Sequence, residues 1–96
     1  MLLIFYLLIV FKDIEFVNME NHKNPVGKKI FQKFGKILKQ MRLKRELTQE
    51  ELSDLAGIHR TYVAGIEGGH RNPSLKNIVR LANALGVKTE ELFNKL

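Results

Sequence analysis

Residues 47–67 run LTQEELSDLAGIHRTYVAGIE, and nearly every position has a helix-specific use. Thr48 suits a helix N-cap, with Glu51 three residues on as its capping-box partner and Leu47 stapled onto Leu52. Glu50 and Glu51 sit at the positive end of the helix dipole. Leu52, Leu55 and Ala56 make one short apolar face. Gly57 then provides the left-handed residue that ends a helix after about two turns. Ile58 is placed to plug the turn, His59 to cap a second short helix, and Tyr62, Val63 and Ile66 repeat at helical spacing within it.

Two short helices sharing a tight turn are the signature of a helix-turn-helix, whose second helix lies in the major groove of duplex DNA with its N-terminal residues toward base edges. Upstream, the segment from Lys28 to Arg45 carries eight basic residues and no acid. Its apolar positions Ile30, Phe34, Ile37, Leu38 and Met41 fall on one helix face, which predicts an amphipathic basic helix. A solvated lysine face on a core-packed helix explains that pattern as well as contact with phosphate or lipid does. Downstream, residues 68–73 (GGHRNP) are turn chemistry with a basic character. They show no Walker spacing that would make them a nucleotide cradle. Ser74 predicts the cap of a helix with Leu75, Ile78, Leu81, Ala82 and Leu85 on its apolar face, closing at Gly86. Thr89 predicts the cap of a last helix, with Glu90 and Glu91 in its first turn and Leu92, Phe93 and Leu96 available for burial.

The run LTQEELSDLAGIHRTYVAGIEGGHRNPSLKNIVRLANALGV, residues 47–87, resembles the phage-repressor-type helix-turn-helix domain, and the likeness extends over about Ile30 to Phe93. Through GIHRTYVAGIE followed by RNPSL it most resembles the small stand-alone regulators of that family, including the controller proteins of restriction-modification systems. The resemblance implies an all-α, compact five-helix domain acting as a homodimer on a palindromic operator in double-stranded DNA. It implies that Gln49 touches phosphate, that Arg60, Thr61 and the position of Gly65 face bases, and that His59 lies near the backbone or an outer base. It further implies that Arg42 pairs with Glu67 and that the following loop tracks the DNA backbone through Arg71, Asn72 and, more weakly, His70. Around Val87, Leu92 and Phe93 it implies the two-fold contact, with capping of the monomer's own core as the rival use.

Chemistry refines these roles. Arginine reads guanine through a bidentate bond to O6 and N7, which makes Arg60 the leading base-reader. Thr61 can donate, accept or rest its methyl on thymine, so its preference stays open. Tyr62 suits either a phosphate, through its hydroxyl, or the edge of the core. Gly65 departs from the family pattern, where a longer side chain is common. It weakens base reading from the second turn and permits closer backbone approach.

At 96 residues and 11.1 kDa the chain holds one small domain, and its net charge of +6 favours polyanionic partners. Cysteine is absent, and His22, His59 and His70 show no short metal spacing, so no metal or cofactor is expected. No nucleophile with a base and no paired acids can be assembled, so neither an enzyme nor a small-molecule substrate is expected. The run MLLIFYLLIVF, residues 1–11, is too short to span a membrane and lacks the basic flank and cleavage site of a signal peptide, which makes a cytoplasmic location the expectation. Two readings fit residues 1–27: translation starting at Met19, or a separable apolar extension joined to the DNA-binding unit, residues 28–96, by the polar linker of residues 18–27. The rivals to a DNA-binding regulator are a DNA-binding antitoxin that also holds a toxin, and a membrane-associated module anchored by residues 1–17.

Overall fold

The basic amphipathic segment folds as one long helix, α1, Pro25–Lys44. The structure, a computed structural model, describes residues 25–96, so the expectations attached to residues 1–24, the Met19 start among them, lie outside the described residues. Proline suits a first helical turn because its missing N–H would have no partner inside the helix. The last three residues of the expected linker therefore belong to α1. Phe34, Ile37 and Leu38 are buried along its inner face and Met41 packs against the core, whereas Ile30 stays exposed one turn before the core begins. The helix ends with Glu46 in the left-handed region at φ 56°, where Leu47 N–H closes onto the Arg42 carbonyl at 3.1 Å.

Helix α2, Gln49–Ala56, has the full capping box: Thr48 Oγ1 accepts from Glu51 N–H at 3.0 Å, and Thr48 N–H donates to Glu51 Oε1 at 3.0 Å. The Thr48 N–H bond to Oε1 is the main cause holding the Glu51 carboxyl below the usual glutamate range, and the neighbouring Thr48 hydroxyl adds to the shift. The buried face of α2 is Leu52, Ser53 and Ala56. Leu55, expected on that face, is 62% exposed, and Ser53 takes the inner position because its hydroxyl donates back to the Glu50 carbonyl at 2.6 Å.

Helix α3, Arg60–Glu67, and helix α4, Leu75–Leu85, follow. In α4 the Ser74 hydroxyl accepts from Asn77 N–H, and Ile78, Leu81, Ala82 and Leu85 are buried. Leu75, expected on the apolar face, is exposed in the first turn, ahead of the core. The expected fifth α-helix is instead a single 3-10 turn, Thr89–Leu92, with Lys88 rather than Thr89 in the N-cap position. The hydrogen bonds here, Glu91 to Lys88, Phe93 to Glu90 and Leu96 to Phe93, all span three residues. A segment this short gains too few bonds to repay α-helix nucleation, and the tighter winding still buries Leu92 completely.

The described residues therefore form an all-α domain of four α-helices and a 3-10 turn. One core unites Phe34, Leu38, Leu52, Val63, Ile66, Leu81, Leu85 and Leu92, drawn from every element. Among the described residues no helix is long and apolar enough to cross a membrane.

Candidate nucleic-acid interface

The turn between α2 and α3 fixes how α3 is presented. Gly57 has φ 70°, a conformation that costs other residues about 1–2 kcal/mol, and Ile58 N–H returns to the Ser53 carbonyl at 3.1 Å. Ile58 is half-buried against the core, which seats the turn. His59 occupies the N-cap position of α3 in extended backbone, but its side chain makes no capping hydrogen bond. His59, Arg60 and Thr61 are all exposed at the N-terminal end of α3, while Val63 and Ile66 on the opposite face are fully buried. A rigidly seated helix thus offers its first turn to solvent.

The other end of α3 is clamped. Arg42 Nε donates to Glu67 Oε2 at 2.7 Å, Arg42 Nη2 donates to Glu67 Oε1 at 3.0 Å, and Arg42 Nη1 donates to the Leu47 carbonyl at 2.7 Å. The two side chains are 8% and 3% exposed. The hydrogen bond to Glu67 raises the Arg42 pKa, burial opposes it, and the Glu67 charge adds to the rise. Gln49 at the start of α2 joins the cluster, its Nε2 donating to Glu67 Oε1 at 3.2 Å. In the unbound chain one amide hydrogen of Gln49 is therefore engaged, which leaves its carbonyl oxygen and second N–H for other partners.

Gly35 allows this clamp to close. A Cβ there would sit 2.7 Å from the Glu67 carbonyl oxygen and nearer still to that of Ile66, so α1 meets the end of α3 backbone to backbone. The sequence signal was a lone glycine inside an otherwise regular helical pattern, and it was not singled out. Nor was Glu46, whose left-handed turn brings the Leu47 carbonyl back to Arg42.

After Glu67 the chain turns with Gly69 N–H on the Ile66 carbonyl at 3.0 Å and His70 N–H on the Gly65 carbonyl at 2.9 Å, a closure of the kind that ends many helices. It returns Arg71 to α3. The Arg71 guanidinium lies 5.2 Å from the centroid of the Tyr62 ring. The half-buried Tyr62 accepts at its hydroxyl from Ser74 N–H at 3.4 Å, so it bridges α3 to the cap of α4. His70 and Asn72 are exposed on the same loop.

The residues expected at a two-fold contact divide. Leu92 is fully buried in the monomer core and cannot reach a partner, which corrects its assignment to that surface. Phe93 is 40% exposed, its ring 5.7 Å from that of Phe34, and Val87 is half-buried against the core.

A helix-turn-helix family model matches residues 38–92, more than half of the chain. The chain belongs to the helix-turn-helix family. Control protein C.BamHI of Bacillus amyloliquefaciens is 44% identical over 62 residues, covering 64% of this chain and 76% of that protein. The crystal structure of the restriction-modification controller protein C.AhdI from Aeromonas hydrophila superposes with a TM-score of 0.67 at 46% identity, covering 68% of this chain and 98% of that one. Controller protein C.Esp1396I, crystallised as a tetramer with its natural 35 base-pair operator, superposes with a TM-score of 0.63 at 31% identity, covering 68% of this chain and 86% of that one. Over about two thirds of this chain, helix-turn-helix relatives of the controller type are thus similar to it in both sequence and shape.

Proposed function

We propose that the chain is a sequence-specific, double-stranded DNA-binding transcriptional regulator of the controller type, acting in the cytoplasm as a homodimer on a palindromic operator near its own gene or a linked operon. The observation that carries this reading is the exposed first turn of α3, His59, Arg60 and Thr61, on a helix whose far end is locked by the buried Arg42–Glu67 pair. The controller proteins named above support it. Arg60 and Thr61 read base edges from this turn, Arg60 toward guanine. Gln49, His59, Tyr62, His70, Arg71 and Asn72 line the flanks toward phosphates, which position the protein without specifying sequence. Val87 and Phe93 lie in the two-fold contact, and residues 28–96 suffice for DNA binding. A dimer is needed because one α3 reads only a few base pairs, whereas two about 34 Å apart read two half-sites on one face of the duplex.

Selection of bound duplexes from a random pool tests this. A palindromic motif with half-sites about one helical turn apart is expected, with affinity falling steeply as salt rises. Recovery of no motif, or binding indifferent to salt, overturns the reading.

A further inference from the structure

Arg71 belongs to the loop by sequence, yet its side chain lies on α3. A Cβ on Gly65 would stand 2.9 Å from Arg71 Cγ and 3.0 Å from both Cδ and Nε, so the arginine stem fills the volume a side chain at position 65 would take. The guanidinium continues over the Tyr62 ring, and the Tyr62 hydroxyl is tied to Ser74 N–H. Thr61 and Gly65 are four residues apart and share a face of α3. The cation therefore stands at the second helical turn, beside the exposed first turn.

We infer that Gly65 and Tyr62 are positioning residues for Arg71: the bare Cα of Gly65 is the trough that receives the arginine stem, and the Tyr62 face holds the guanidinium on the α3 surface presented to DNA. This inference rests on the DNA-binding reading. Arginine has a long stem, and ordering it before the encounter removes an entropic cost that binding would otherwise carry. The glycine that looks like a missing contact in the sequence instead admits a contact from another segment. Alanine at position 65 displaces a flexible side chain and no backbone, so it dislodges Arg71 while leaving the fold in place.

The test compares the full-length wild type, Gly65→Ala, Arg71→Ala and the double variant. Affinity is measured on a duplex selected by the wild type and on a mixed-sequence duplex, and the Arg71 Hδ resonances are followed by NMR in the free proteins. Gly65→Ala should weaken binding about tenfold, as Arg71→Ala does, and should add nothing in the Arg71→Ala background. Its thermal midpoint should not fall, because alanine is the better helix former. The Arg71 Hδ protons should be shifted upfield by the Tyr62 ring in the wild type and in a Tyr62→Phe variant, and should lose that shift in Gly65→Ala and Tyr62→Leu. Unchanged affinity of Gly65→Ala, an equal loss in both backgrounds, or no ring-current shift in the wild type would each overturn the inference. Wild-type protein that binds neither duplex refutes the DNA-binding reading instead, and the inference falls with it.

Discussion

Replacing Arg42 by alanine removes a guanidinium that makes three hydrogen bonds at 2.7, 3.0 and 2.7 Å to Glu67 and Leu47. The cost is set less by the lost bonds than by what remains, since Glu67 keeps a nearly buried carboxylate whose one remaining side-chain bond comes from Gln49 at 3.2 Å. Truncating one partner of a buried pair costs about 3–5 kcal/mol. A domain of about 70 residues holds roughly 4–11 kcal/mol in total, so the variant should sit near the edge of folding. At about 4–8 °C per kcal/mol, the thermal midpoint should drop by at least roughly 12 °C. Replacing both partners, Arg42→Met with Glu67→Leu, should recover most of that loss, because shape is kept and no charge is stranded. Calorimetry or circular dichroism on the three variants gives the comparison. A loss below about 1 kcal/mol for Arg42→Ala is what an exposed pair gives, and it would refute the claim that this cluster locks α3.

Gly35→Ala should cost about 1–3 kcal/mol because the new methyl meets the backbone carbonyls of Ile66 and Glu67, and an unchanged melting curve would show that α1 can move aside freely. Glu46→Gly should raise the thermal midpoint by a few degrees, since the left-handed residue costs about 1–2 kcal/mol and glycine returns only part of that in the unfolded chain. Glu51 has its folded pKa below its unfolded value, so its contribution is fully present above the ordinary glutamate range and is lost as pH falls through the depressed value. Glu51→Gln should accordingly differ most from wild type at neutral pH and converge with it in acid, and a constant difference across the titration would contradict the capping account. Arg60→Ala should cost about 1–3 kcal/mol at one operator position, whereas His59→Ala should weaken all duplexes alike, as competition between operator variants would show.

Much of the architecture was legible because it is local. The capping box at Thr48, the end of α2 at Gly57 and the cap at Ser74 are set by residues within one turn of each other. What depends on distant partners was not legible. Leu55 and Leu75 fit an apolar stripe by spacing, but their faces point past the edge of the core, and nothing nearby in sequence reports where that edge lies. The last helix shortened to a 3-10 turn because the segment is too short to repay α-helix nucleation, and its caps and apolar spacing do not report that length. In the candidate site, Arg60 and Thr61 follow from their place in the motif. The seat of Arg71 on Gly65 and Tyr62 needed the folded loop, because the chain between these positions turns back on itself.

The guanidinium of Arg42 joins three pieces of chain at one point: α1 itself, the Leu47 carbonyl just before α2, and the last residue of α3. None of the three can detach without stranding polar groups of the other two. Fraying from the C-terminal end of α3 is thereby coupled to loss of the whole domain, and slow amide exchange in α3 should report global opening. For a regulator whose occupancy follows its concentration, such coupling would make the dose of active protein track the dose of folded chain, without a half-melted competitor for the operator.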